Sequence, residues 1–206
     1  MEIQYFGANC LRITTRGATF VVDDNLAKLG LKSITKPTDV ALHTNASMPQ
    51  LPSHFTADMP GEYEVAEVSI HGVGARGAKD EPGQTSSTIF TIAAADLRVV
   101  IIGHIHPELS DDQVEAIDGV DIAIVPVGDG ETLDGAGALQ IIKKIEPKVV
   151  IPTHFADKAL KYAAPQAELA DALKGLSMEP AETVDKFKAK AGDLADTTRL
   201  IVLTRS

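Results

Sequence analysis

The chain carries a single cysteine, Cys10, in 206 residues. One thiol excludes an intrachain disulfide framework and any cysteine-rich zinc cluster. Its alternation with Leu11 and Ile13 in a strand-like pattern reads as a buried, inert thiol. Basic residues are scarce as well: 19 Lys and Arg against 29 Asp and Glu give a formal net charge of −10. The acidic residues are spread along the chain and not gathered in a tail. Nucleic acid is therefore not expected as a partner, because binding phosphates needs a basic stripe. No apolar run approaches the length of a membrane span, so no membrane partner is expected. The opening Met1-Glu2-Ile3-Gln4-Tyr5 has no basic segment followed by an apolar one, so no signal peptide is expected and a cytoplasmic location is. Repeats, low-complexity tracts and linkers rich in Gly, Pro or Ser are also missing. So is a Gly-x-Ser-x-Gly elbow for a serine nucleophile. Gly128-Asp129-Gly130 precedes a helix but lacks phosphate-loop spacing and its lysine.

What is present is an ordinary globular composition, 44% hydrophobic and 23% charged. The pattern reads as one domain over 1–206, built from two halves of about 1–103 and 104–206. Residues 2–6, 10–15 and 18–23 form short strands in a hairpin-rich opening, and 39–43 another. Strand character resumes over 63–73, followed by a loop over 74–84 and a hairpin-like pair at 88–93 and 97–102. The rhythm then becomes alternating. Ser110 caps a helix, 121–127 is a buried strand, and Asp134 caps a helix with Leu139, Ile142 and Ile145 at helical spacing. A strand at 148–151, an Ala-rich helix around 165–174 and a strand at 199–204 close the chain. The simplest architecture is α/β: two mixed sheets face to face with helices outside.

Within this frame His154 stands out. Lys148-Val149-Val150-Ile151 is apolar on both faces, as a strand covered on two sides must be. Pro152 is expected to stop the ladder and present His154 from the strand's carboxyl end, where ligands gather in layered α/β proteins.

Several segments, in order, resemble the metallo-β-lactamase fold superfamily, especially its small zinc-dependent hydrolase-like proteins. Gly7-Ala8-Asn9-Cys10-Leu11-Arg12-Ile13 is similar to the family's Gly-His-Ser-Cys-Phe-Arg-Ile strand. Val21-Val22-Asp23 resembles its strand ending in aspartate, and Pro60-Gly61-Glu62-Tyr63-Glu64-Val65 its Pro-Gly-Glu-Tyr-Glu segment. Pro126-Val127-Gly128 and Ile151-Pro152-Thr153-His154-Phe155 resemble its Pro-Val-Gly and Ile-Pro-Met-His-Tyr segments. The resemblance implies a four-layer αββα sandwich with the active site at one edge. It also implies a binuclear zinc site on His-x-His-x-Asp-His, a mid-chain histidine, a bridging aspartate and a final histidine. Here 45–50 read Asn45-Ala46-Ser47-Met48-Pro49-Gln50. No histidine occurs near Arg76–Ala78, and His104 stands where the family has the bridging aspartate. Only His154 keeps the family's residue at its position.

The resemblance thus sets the candidate edge of the site: Asp23, Asn45, Ser47, His104 and His154. Asp23 supports the ligand shell in the family; here hydrogen bonding to loop amides is the slightly preferred role. Asp24 could add charge at the same edge. His104 either fills space left by metal and bonds to His154 or a carbonyl, or joins His154 and a third residue such as His106 in a rearranged mononuclear site. The first is preferred, because a metal site needs three converging ligands and only two are placed. His43, His54 and His71 read as structural or exposed, and Glu62 and Glu64 as tying turns together. No cofactor is expected, with zinc or another divalent metal as the alternative. The expected function is a hydrolase-like protein without the binuclear zinc set, binding a small molecule or protein or serving as a scaffold. A hydrolase using His104 and His154 is the alternative, and the old active-site edge as a contact in a homo-oligomer is a third.

Overall fold

Alternation along the strands decides which side chains meet. A computed structural model describes residues 1–206. Its strands are β1 (Glu2–Gly7), β2 (Cys10–Thr14), β3 (Thr19–Val22), β4 (Val40–Leu42), β5 (Phe55–Ala57), β6 (Gly61–Val65) and β7 (Val68–Ala75). There follow β8 (Ser87–Ala94), β9 (Leu97–Ile101), α1 (Asp111–Ala116), β10 (Ile122–Pro126), α2 (Gly135–Ile145) and β11 (Val149–Thr153). The chain closes with α3 (Leu169–Leu176), β12 (Pro180–Val184), β13 (Lys186–Lys188) and β14 (Arg199–Leu203). Six strands form one sheet in the order β13-β1-β2-β3-β4-β5, and eight form the other in the order β12-β14-β11-β10-β9-β8-β7-β6.

The sheets pack face to face, giving the α/β sandwich. Odd positions of β1 and alternate positions of β9, β10 and β11 point inward: Ile3, Tyr5, Val99, Ile101, Ile122, Ile124, Val149 and Ile151 share one buried core with Leu11, Phe20 and Leu42. The intervening positions, Val100, Ala123, Val125 and Val150, point outward and meet Ala138, Ile141, Ile142 and Ile145 of α2 and Leu176 of α3. This explains why the central strands read as apolar on both faces. The layer over the six-stranded sheet is thin: a 3-10 turn at Leu26–Leu29 and extended segments place Leu26 and Leu160 over Cys10 and Val21. Cys10 is buried there, and burial raises its thiol pKa.

Capping follows the sequence. Ser110 and Gln113 form a capping box on α1, and the Asp134 carboxylate accepts from Gly137 N at the start of α2. Other elements differ from expectation. The 63–73 segment is two strands, β6 and β7, joined at Ala66-Glu67 with φ 49° and 63°. That hairpin turn ordinarily calls for Asn-Gly, so its sequence gives no signal. β12 is a mostly exposed edge strand without buried alternation, and β5 and β13 have three residues each, too short to show a period. The Ala-rich segment starts its helix at Leu169, not near 165, because residues before it form a loop that returns to the strand ends.

Pro152 does not end its strand. It pairs with Val125 inside β11. Val149 N bonds Asp121 O and Thr153 O accepts from Val127 N, so odd residues of β11 face β10. Pro152 therefore faces β14, whose pairing with β11 stops at Val150, and no donor is missed there. Thr153 continues the strand, and His154 is the first residue beyond it.

Candidate functional site

The carboxyl ends of β3, β4, β9 and β11 meet at one edge of the sandwich, carrying Asp23, Thr44, His104 and His154. Asp23, with no exposed surface, is the centre of the network. Its Oδ1 accepts from Thr44 N at 2.8 Å. Its Oδ2 accepts from Thr44 Oγ1 at 2.6 Å and from Asn9 Nδ2 at 2.7 Å. Burial pushes the Asp23 pKa up, but His104 and the two Thr44 bonds outweigh it and hold the carboxyl below its usual value. Of the three donors to Asp23 one is a backbone amide, Thr44 N, and the other two are the side chains of Thr44 and Asn9.

The same network fixes the His104 tautomer. Thr44 has one hydroxyl proton, and the short contact to the ionised Asp23 takes it. His104 Nδ1 lies 3.0 Å from Thr44 Oγ1 and 3.5 Å from Asp23 Oδ2. Between two electron-rich oxygens Nδ1 must carry a proton, so in the neutral ring the lone pair is on Nε2. His154 is oriented likewise. Gln166 Nε2 donates to Ala164 O at 3.0 Å, which turns Oε1 toward His154 Nδ1, also at 3.0 Å. His154 Nδ1–H donates, leaving its Nε2 as an acceptor. Burial lowers the His154 pKa to about 4, with the His104 charge adding to the effect and the Gln166 bond opposing it. At neutral pH it is uncharged.

Backbone geometry holds these rings in place. His154 sits at φ +56° with its N–H donated to Ala8 O at 2.7 Å. Left-handed backbone costs a non-glycine residue roughly 1–2 kcal/mol, which this bond and the packing around it offset. Two glycines permit the close approaches. Gly103 has φ +66°, and a Cβ there would lie 2.4 Å from Thr44 Cβ. At Gly128 a Cβ would lie 1.7 Å from His154 O.

The imidazoles meet edge to face, with ring centres 5.5 Å apart and planes at 87°. Each lines one of two adjoining hollows, of about 300 Å³ for His104 and about 250 Å³ for His154. Asn25, Ser47, Met48 and Glu131 line both, making them one cleft. Asn45 and Lys79 line the first; Lys28, Lys161 and Tyr162 line the second. Lys79 Nζ donates to Glu131 Oε1 at 2.9 Å. That bond lowers the Glu131 pKa against the opposing effect of burial, and the charges of His154 and His104 lower it further.

The structure brings together four of the candidates at the cleft, Asn45, Ser47, His104 and His154, and sets Asp23 buried behind them. His106 stays apart: its Nδ1 accepts from Glu108 N at 3.3 Å and lies 3.6 Å from the Glu108 carboxylate. Asp24 does not face the cleft but ties down the next loop, accepting from Ile34 N, Thr35 N and Thr35 Oγ1. His43 is buried, His54 is exposed and His71 lies on the outer sheet face; Glu62 and Glu64 stand on β6, where Glu62 lies opposite His71 in the register. The 76–78 segment does reach the site, since Ala78 N donates to His104 O, and it brings Gly77, Ala78 and the adjoining Lys79 to the cleft. No group of three or more His, Cys, Asp and Glu side chains is arranged to hold one metal ion.

Thr44, Gln166, Glu131 and Lys79 escaped sequence reasoning. Thr44 had a usable signal, being the polar residue just past a strand end. Gln166 had none, because only the returning loop brings it to His154.

The two-sheet sandwich with polar groups at its strand ends places the chain in a defined class. It matches the model of the β-lactamase superfamily domain over residues 2–154, and it belongs to that family. Among solved structures it is similar to a proposed zinc-dependent hydrolase of the metallo-β-lactamase superfamily from Thermotoga maritima, at 24% identity over 98% of each chain with a TM-score of 0.77. It is also similar to the metallo-β-lactamase fold protein YhfI from Bacillus subtilis (9% identity, 100% and 96% of the two chains, TM-score 0.59). The isothiocyanate hydrolase from Delia radicum gut bacteria is a further likeness (8% identity, 97% and 96%, TM-score 0.60). At these identities the likeness is one of fold. The chain thus has the hydrolase-like fold of its superfamily, and no helix is long and apolar enough to cross a membrane.

Proposed function

We propose that this chain is a non-zinc member of its superfamily, a cytoplasmic binding or scaffold protein whose cleft takes a small molecule or a segment of a protein partner. The donor set carries this reading: only two imidazoles converge, and the other segments reaching the cleft supply Asn45, Ser47, Met48 and Lys79. Two zinc ions need three or four N, O or S ligands each and a bridging group, which this set does not fit. His104 stands where a bridging carboxylate is expected, and its Nδ1 is committed to Thr44. Glu131, the carboxylate shared by both hollows, is bonded to Lys79.

One observation favours a second reading. The ring centres are 5.5 Å apart, within reach of one ion at Zn–N bonds of about 2 Å, and both Nε2 atoms are free of intramolecular bonds to Thr44 and Gln166. In that reading His104 and His154 hold a single divalent metal, which supplies a Lewis acid for hydrolysis. Elemental analysis of protein purified without added metal separates the two. Metal-free, fully folded protein is expected. Near-stoichiometric zinc, iron or manganese that disappears in His104→Ala or His154→Ala sinks the non-zinc reading.

A further inference from the structure

The chain is acidic overall, at net charge −10, yet one hollow of its cleft is edged by ammonium groups. Lys28 and Lys161 both line the His154 hollow, whose only carboxylate is Glu131. They come from segments far apart in sequence that a backbone bond ties together: Lys161 N donates to Leu29 O at 3.0 Å, one residue past Lys28. The Lys161 stem lies over Gly30, where a Cβ would stand 3.5 Å from Lys161 Cδ. The chain's ion pairs include neither lysine. Lys28 Nζ donates to Ser47 O at 3.0 Å, a neutral partner that leaves its charge and two N–H groups available.

Glu131 does not cancel these charges, because Lys79 Nζ donates to Glu131 Oε1 at 2.9 Å from the neighbouring hollow. Asp80 lines only that neighbouring hollow, where Gly77 N, Ser86 N and Ser86 Oγ donate to it, and Asp23 lines neither. Two positive charges are therefore left around the His154 hollow. Repulsion from distant acidic residues fades over about 8 Å at physiological salt, so the near charges decide what enters. Beside them stands a less polar wall: Tyr162, whose ring centre is 5.4 Å from that of His154, with Leu29 and Met48.

We propose that the His154 hollow binds a small phosphate monoester, its phosphate between the Lys28 and Lys161 ammonium groups and its organic part against Tyr162, Leu29 and Met48. A phosphate monoester carries about −1.5 to −2 charge at pH 7, which matches two unpaired lysines better than a singly charged carboxylate does. Lys79 is a positioning residue: it touches Glu131, not the ligand, and keeps that carboxylate away from Lys28 and Lys161. The proposal rests on the non-zinc reading above and names the ligand chemistry of the same cleft.

The test is calorimetric titration of metal-free protein with phenyl phosphate in Tris chloride at low salt. Phenol, with the ring and no charge, and benzoate, with the ring and one charge, are the controls. Saturable binding of phenyl phosphate, weaker binding of benzoate and none of phenol are expected. Lys28→Gln and Lys161→Gln each weaken phenyl phosphate binding by about tenfold, the effect of one hydrogen bond to a charged group. Lys79→Gln weakens it several-fold by releasing Glu131, whereas Glu131→Gln strengthens it; a merely structural role for their bond would move both variants the same way. Lys28, Lys79 and Lys161 are exposed, so their substitution leaves the fold intact. No saturable binding at tens of millimolar, affinity unchanged in both Lys28→Gln and Lys161→Gln, or phenol or benzoate binding as tightly overturns the phosphate assignment and leaves the non-zinc reading standing. Zinc that copurifies and is lost in His104→Ala overturns the non-zinc reading, and the lysine dependence in protein stripped of that metal still decides the anion site.

Discussion

Replacing Thr44 with valine isolates the link between Asp23 and His104. Valine fills nearly the same space, and Thr44 is fully buried, so only the hydroxyl is removed. Asp23 keeps its bonds from Thr44 N and Asn9 Nδ2 but loses the 2.6 Å bond from Oγ1. A hydrogen bond to a charged group contributes roughly 1.5–3 kcal/mol. His104 Nδ1 also loses its acceptor, although Asp23 Oδ2, now 3.5 Å away, can take that proton after a small rotation. Burying a methyl where a hydroxyl stood returns part of the loss, so a net destabilisation of about 2 kcal/mol is expected. For a chain of this size that corresponds to a drop in Tm of about 4–8 °C. Urea unfolding is the assay: the midpoint falls at constant m-value. The His104 ¹⁵N resonances report the tautomer independently, with Nδ1 still protonated but shifted toward a carboxylate partner. A loss below about 0.5 kcal/mol, the range of a neutral surface change, with unmoved His104 resonances would refute the linked network.

Three further outcomes follow from particular contacts. Because His154 has a pKa of about 4 when folded and about 6.5 when unfolded, the unfolded chain takes up the proton first as pH falls. Its contribution is full above pH about 6.5 and is lost by pH about 4, a loss of about 3 kcal/mol; a urea midpoint flat between pH 7 and 4 would contradict this, and His154→Asn flattens the slope in that window. Gly128→Ala places a Cβ 1.7 Å from His154 O, and the backbone shift it forces costs about 3 kcal/mol or more, read as a fall in Tm with altered His154 resonances. Asp134→Ala removes the 2.7 Å bond to Gly137 N at the start of α2 and costs about 1 kcal/mol, with amide exchange rising in the first turn of that helix and the cleft unaffected.

Much of the architecture was legible from local pattern. The central strands β9, β10 and β11 announce themselves because both of their faces are buried, between the other sheet and α2 or α3. Asp134 and Ser110 mark helix starts because an orphan N–H needs an oxygen at a fixed offset. The ordered motif segments placed the site at one edge, and Asp23, Asn45, Ser47, His104 and His154 all lie in or directly behind the cleft. The hairpin at Ala66-Glu67 and the late start of α3 were illegible, since tertiary packing overrode weak local preference there.

What the sequence determined alone was the layered fold and the strand-end position of His154. Those follow from residue identity and from periods of two and 3.6, which are local properties. Tertiary structure alone decided that His104 and His154 meet at 5.5 Å, that Thr44 and Gln166 fix their tautomers, and that Lys79 and Glu131 share the cleft. Those groups are separated by tens of residues, and a proton's place on an imidazole depends on what lies within 3 Å of each nitrogen. Only the closure of two sheets on each other sets those distances.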